Sequence, residues 1–274
     1  MGGNNLSGRW AVVTGASSGM GLVFARELAR RGHHVLAVAR RRDRLETLAR
    51  DESARGGRIV PFAADLGTSE GLGSLVARIR DLGAVELLVN NAGVVTSGNF
   101  AESVLEREIA EIGLNVNAVV TLTHAALAQM LPRKHGAIIN LASVVAFQPF
   151  PHFAVYAASK AFVLSFTEAL AEELRGSGVR IMALCPGAAK TEMSVFSHNE
   201  GLLGKLPSLT ADQIVGTALR AIEGGSVVKI VGWLNRMLVF VNRFVPRAAV
   251  RWMMATIAKA PSRPASERAN AWDQ

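Results

Sequence analysis

"RWAVVTGASSGMGLVFARELARRG", residues 9–32, decides how this chain is read. It opens on an unbroken apolar run, WAVVT, of the kind found in strands buried on both faces. A turn with three glycines follows. Then apolar residues recur at helical spacing until the stretch closes on Gly32. Strand, glycine turn and helix together place backbone N–H groups and a helix N-terminus where a phosphate can sit. The turn is Gly15, Ala16, Ser17, Ser18, Gly19, Met20 and Gly21, spaced G-x-x-x-G-x-G rather than G-x-G-x-x-G. Alone, such a loop can be a plain structural turn. Its place after the first strand of a βα series favours nucleotide binding.

The same alternation continues outward. Strands are predicted at 34–39, 58–64, 86–91, 137–143, 179–185 and 227–231. Helices are predicted at 43–53, 69–82, 102–131, 154–175 and 210–223. The strand at 58–64 is weakened by Pro61. Apolar strands without alternation, separated by helices, predict an α/β fold. The architecture expected is a Rossmann-type doubly wound parallel sheet of about seven strands, with helices on both faces. Residues 1–231 read as one dinucleotide-binding and catalytic domain. Residues 232–260 read as its helical C-terminal extension, and 261–274 as a disordered tail.

The end of the second strand bears on the cofactor. An acidic residue there would take a ribose 2′-hydroxyl. This chain has Arg40 and Arg41 instead, and guanidinium groups suit a 2′-phosphate. NADP(H) is therefore expected over NAD(H).

Composition narrows the rest. The chain has 274 residues, half of them hydrophobic, and a formal net charge of +8. No zinc spacing or RNA-binding aromatic run accompanies the basic charge, so no nucleic-acid partner and no metal are expected. The lone Cys185 allows no intramolecular disulfide, which fits a cytoplasmic location. It ends a predicted strand and reads as a small core residue. The opening MGGNNLSGRW lacks an apolar centre and is not read as a signal peptide.

Residues 233–259 are apolar, but Arg236, Arg243 and Pro246 interrupt them, so a membrane span is not expected. Two readings stay open. One is a cap on the substrate pocket or a subunit interface, and it is preferred. The other is a peripheral membrane surface, with Trp233, Met237, Phe240 and Phe244 on one side.

The only tyrosine, Tyr156, stands four residues before Lys160, which puts both on one helical face. An ammonium beside a phenol lowers its pKa toward a range useful for proton transfer. A lone Y-x-x-x-K is as often a packed tyrosine and a surface lysine. Here it has company: TGASSGMG at 14–21, Asp65-Leu66, NNAG at 90–93, Asn115 in GLNV, Ser143 in INLAS, YAASK at 156–160 and PGAAKT at 186–191.

In order and on the expected elements, this set resembles the short-chain dehydrogenase/reductase family over residues 9 to about 230. The resemblance implies hydride transfer between a nicotinamide and a carbonyl or alcohol. It implies Tyr156 as general acid/base, Ser143 on the same substrate oxygen, and Lys160 on the nicotinamide ribose. Asn115 is implied to hold a water behind the lysine. It further implies cofactor contacts at Asp65, Leu66, Asn91, Ala92, Gly93, Pro186, Gly187 and Thr191. A homodimer or homotetramer through the two long helices is implied as well.

Phe147, Phe150, His152 and Phe153 lie between Ser143 and Tyr156. They suggest an apolar small-molecule substrate, or else packing beneath the loop. The alternative functions are a dinucleotide-sensing protein without turnover and a membrane-associated factor using the C-terminal segment.

Overall fold

The computed structural model describes residues 9–187 and 209–258. Seven strands form one parallel sheet: β1 (Trp10–Thr14), β2 (His34–Ala39), β3 (Arg58–Ala63), β4 (Val85–Asn90), β5 (Gly136–Leu141), β6 (Val179–Cys185) and β7 (Val228–Ile230). Their order is β3-β2-β1-β4-β5-β6-β7. The chain reverses direction of travel between β1 and β4. That switch point opens a crevice at the carboxyl ends of the strands.

The continuous apolar runs are explained by burial on both faces. In β1, Ala11 and Val13 join one core cluster, while Trp10 and Val12 join the other. The first cluster is closed by α1 (Gly19–Arg30), α2 (Arg42–Ser53) and α7 (Ala211–Glu223). The second is closed chiefly by α3 (Ser69–Leu82) and α5 (Ala118–Arg133). Pro61 is accommodated because β3 is an edge strand, where its missing N–H costs no ladder bond.

The helix expected over 102–131 is not continuous. A short 3-10 turn (Phe100–Glu102) precedes α4 (Leu105–Ile112), a π-helical turn covers Gly113–Asn117, and α5 follows. A π turn inserts one extra residue and rotates the following face, so it recurs at functional positions. Asn115 lies within it and is fully buried.

α6 (Ala154–Glu173) carries Tyr156 and Lys160. A buried polar chain fixes its place. The amide of Asn90 on β4 donates to Asn140 Oδ1 on β5 (2.9 Å) and to Thr123 Oγ1 on α5 (3.1 Å). Asn140 in turn donates to Thr167 Oγ1 on α6 (3.0 Å). Breaking such a chain would strand buried amides, each costing about 1–3 kcal/mol.

The C-terminal extension forms α8 (Trp233–Asn242) and α9 (Arg247–Ile257). Both dock over the loop between β5 and α6. Asn242 Nδ2 donates to Phe147 O (3.3 Å) and Gln148 Oε1 (3.1 Å). Val250 and Met254 of α9 pack with Phe150, Phe153 and Tyr156. Trp233, Met237, Phe240 and Phe244 all face outward and are exposed. The tail at 261–274 and Thr191 lie outside the described residues.

Candidate active site

The glycine loop is shaped by close approach. A Cβ on Gly21 would stand 2.1 Å from Gly15 O and 2.5 Å from Asn91 Nδ2. Only glycine fits there. Asn91 Nδ2 also donates to Thr14 O (2.9 Å), and Thr14 Oγ1 receives the N–H groups of Asn91 (3.0 Å) and Ala92 (2.9 Å). The ends of β1 and β4 are thereby stitched together beside the crevice. Asn91 is thus a turn-building residue, and Thr14, which the motif at 14–21 contains without a role of its own, shapes the end of β1.

The N-terminus of α1 is left open for an anion. Ser18 sits at the N-cap but makes no side-chain cap bond, and no acidic residue lies in the first turn. By contrast, Thr68 caps α3, and Thr210 with Gln213 builds a full capping box on α7. The Ser18 hydroxyl instead receives Arg41 Nη2 (2.9 Å), which also reaches Ser17 Oγ (3.0 Å). Arg41 is therefore held against the loop, while Arg40 is exposed. Uncapped helix N–H groups, a glycine cradle and a neighbouring guanidinium fit a phosphorylated dinucleotide.

Asp65 and Leu66 follow β3. Asp65 Oδ1 accepts Gly67 N–H (2.9 Å), which makes it a turn former, and Leu66 is buried in the core. Pro186 and Gly187 follow β6, and a Cβ on Gly187 would meet Asn235 Nδ2 of α8 at 2.3 Å.

The four residues expected to carry the chemistry are all buried: Asn115, Ser143, Tyr156 and Lys160. Ser143 follows β5 and accepts Val145 N–H on its Oγ (3.3 Å), and its side chain favours the ionised form of the Tyr156 phenol. Lys160 Nζ donates to Leu141 O (2.8 Å) and lies 5.7 Å from the centre of the Tyr156 ring. Asn115 accepts Val94 N–H on Oδ1 (3.0 Å) and donates to Val94 O (2.9 Å) and Ser159 Oγ (3.2 Å). Asn115 and Lys160 meet at Gly93, where a Cβ would be 2.9 Å from Asn115 Oδ1 and 3.6 Å from Lys160 Nζ.

The electrostatics correct one expectation. The lysine does not bring the phenol down in the chain alone. Burial pushes Tyr156 up to about 12, the charge of Glu111 adds to this, and the Ser143 hydrogen bond works the other way. Burial likewise pulls Lys160 down to about 8, against the raising influence of Glu111 and Cys185. The ammonium lies over the ring and is tied to a carbonyl, so it does not meet the phenolic oxygen.

Phe150 and Phe153 are packed against each other, ring centres 5.2 Å apart, beneath the loop. His152 has a left-handed backbone, φ 64°, and its carbonyl accepts Gly98 N–H (2.8 Å). Cys185 is buried, and burial raises its thiol to about 12, in keeping with a core residue. His33, at the turn between α1 and β2, is pulled below its usual value by burial. Among the described residues no cluster suited to a metal ion occurs.

The glycine turn at the switch point, with Ser143, Tyr156 and Lys160 buried after β5 and on α6, agrees with the comparisons. The short chain dehydrogenase profile matches residues 9–200. The chain belongs to that family of oxidoreductases. It is 39% identical over 191 residues to a short chain dehydrogenase of Pseudocercospora fijiensis, an alignment covering 69% of this chain but only 62% of that protein. It is 31% identical over 255 residues to the ketoacyl reductase HetN of a Nostoc species, covering 90% of this chain and 88% of that one. The structure of a short-chain dehydrogenase from Sphingobium yanoikuyae in complex with NADPH superposes with a TM-score of 0.77. Identity there is 31%, covering 93% of this chain and 98% of the other.

Proposed function

We propose that the protein is an NADP(H)-dependent reductase interconverting an apolar ketone and its alcohol. The observation that carries this is the convergence of Ser143, Tyr156, Lys160 and Asn115 below an uncapped helix N-terminus gripped by Arg41. Gly15, Ser17, Ser18, Gly19, Met20 and Gly21 would hold the pyrophosphate, with Arg40 and Arg41 at the 2′-phosphate. Asn91, Ala92 and Gly93 would line the ribose side, and Pro186 and Gly187 the nicotinamide side. When bound, the dinucleotide supplies the hydride.

The chain's own residues do the rest. Tyr156 delivers the proton to the substrate oxygen in reduction and removes it in oxidation. Ser143 donates a hydrogen bond to the same oxygen. Lys160, as an ammonium, holds the ribose and favours the phenolate. Asn115, pinned by Val94 and Ser159, keeps Lys160 and the loop in register. α9 covers the floor of the site with Val250 and Met254, which excludes water and favours an apolar substrate. The outward stripe Leu105, Ile109 and Ile112 of α4, with Phe162 of α6, suits pairing with a second copy of the chain.

The cofactor half of this reading is tested by Arg41→Ala. Loss of charge-assisted bonds of about 1.5–3 kcal/mol predicts an NADPH affinity weaker by roughly 10- to 100-fold, with NADH affinity little changed. Equal weakening for both cofactors, measured by fluorescence titration, would show that Arg41 only supports the loop.

A further inference from the structure

Behind Asn115, away from the crevice, lies a group the proposed chemistry does not use. Glu111 on α4 is completely buried, one helical turn before Asn115. Its Oε1 accepts Asn115 Nδ2 (3.2 Å). Its Oε2 accepts Thr96 N–H (2.8 Å) and makes a close contact with Thr96 Oγ1. The same hydroxyl lies 2.7 Å from Oε2 of Glu108, which is also buried. A threonine hydroxyl has one proton and can donate to one carboxylate only. The other contact needs a proton on the second carboxyl group. The two glutamates therefore hold one proton and one negative charge between them.

That charge has a counterpart. A buried ammonium is costly unless compensated, and Lys160 is only 6% exposed. Asn115, bonded to Glu111, faces Lys160 across Gly93, where a Cβ would be 2.9 Å from Asn115 Oδ1 and 3.6 Å from Lys160 Nζ; the charged and titratable groups facing Glu111 are Glu108 on its own helix, and Lys160 and Tyr156 on α6. The first is acidic and the phenol is neutral, so Lys160 is the only cation of the set. We propose that Glu111 is a positioning residue for the Tyr156–Lys160 pair: it is the counter-charge that keeps Lys160 an ammonium in a dry site, and it shares a proton with Glu108 through Thr96. The proposal rests on the assignment of Tyr156 and Lys160 to the chemistry. Burial lifts the Glu111 carboxyl to about 7, with Thr96 and Lys160 opposing the rise.

Glu111→Gln keeps the shape and removes the charge. Lysine side-chain NMR on the cofactor-free full chain, with Lys160→Met to identify the signal, reads the result without turnover. The Lys160 midpoint should fall by about 1 pH unit, the direction expected on losing an opposite charge. Glu111→Asp should restore part of it. The alkaline limb of the kcat profile should move to lower pH by a similar amount. An unchanged Lys160 midpoint in folded Glu111→Gln would overturn the proposal.

Should Glu111→Gln not fold, the wild-type chain still answers. Its infrared spectrum near neutral pH should contain a buried carboxylic-acid band that Glu108→Gln removes, and absence of that band would overturn the shared proton. A wrong assignment of the chemistry shows differently: Tyr156→Phe would keep full turnover while both titrations behaved as described.

Discussion

Tyr156→Phe is expected to lose about 10²- to 10⁴-fold in kcat for NADPH-dependent ketone reduction, the usual contribution of a positioned general acid. The fold and NADPH affinity should hold. Phenylalanine fills the same space within the cluster of Val145, Phe150, Phe153, Val250 and Met254, so packing is kept. What is removed is the phenolic hydroxyl alone. The effect should fall on kcat, because the proton is needed as charge develops on the substrate oxygen. A steady-state assay with any ketone the wild type reduces would check this.

The second large effect is expected at Gly21. In Gly21→Ala the new methyl would lie 2.1 Å from Gly15 O and 2.5 Å from Asn91 Nδ2, both far inside contact distance. Neither neighbour can withdraw easily. Gly15 belongs to the loop itself, and Asn91 is bonded to the backbone at the end of β1. The loop must move away from the N-terminus of α1, and the phosphate site is lost with it. NADPH affinity should drop on the order of 100-fold, or ~2.7 kcal/mol. Isothermal titration calorimetry would measure it, and circular dichroism would show the sheet retained.

The fold was readable because each strand is an unbroken apolar run and each helix keeps its period between turn residues. The parallel sheet follows once the runs prove buried on both faces. The glycine turn at 15–21 and the placing of Tyr156 and Lys160 on one helix were readable from their spacing. Other features depend on contacts that spacing does not encode. The π turn at Gly113–Asn117 leaves no mark in a helical pattern of apolar residues, so the stretch read as one helix. Glu111 could have been singled out as a carboxylate one turn from Asn115, but its burial depends on Thr96, which arrives from a separate loop. The chain Asn90–Asn140–Thr167 requires the register of β4 with β5. The phenol's rise follows from the depth at which α9 and the loop enclose Tyr156, and no local sequence pattern encodes that depth.

That rise also sharpens the central claim. A phenol at about 12 is a poor acid/base near neutrality. If Tyr156 is catalytic, occupancy of the crevice must bring it down. Tyr156 is the only tyrosine, so tyrosinate absorbance has a single source. The most direct measurement is therefore its titration without and with saturating NADP⁺, alongside Lys160→Met. The account predicts that NADP⁺ lowers the midpoint well below its value in the free chain, and that Lys160→Met loses most of that fall. A midpoint that stays put with NADP⁺ bound would contradict it and leave a dinucleotide-binding protein without turnover.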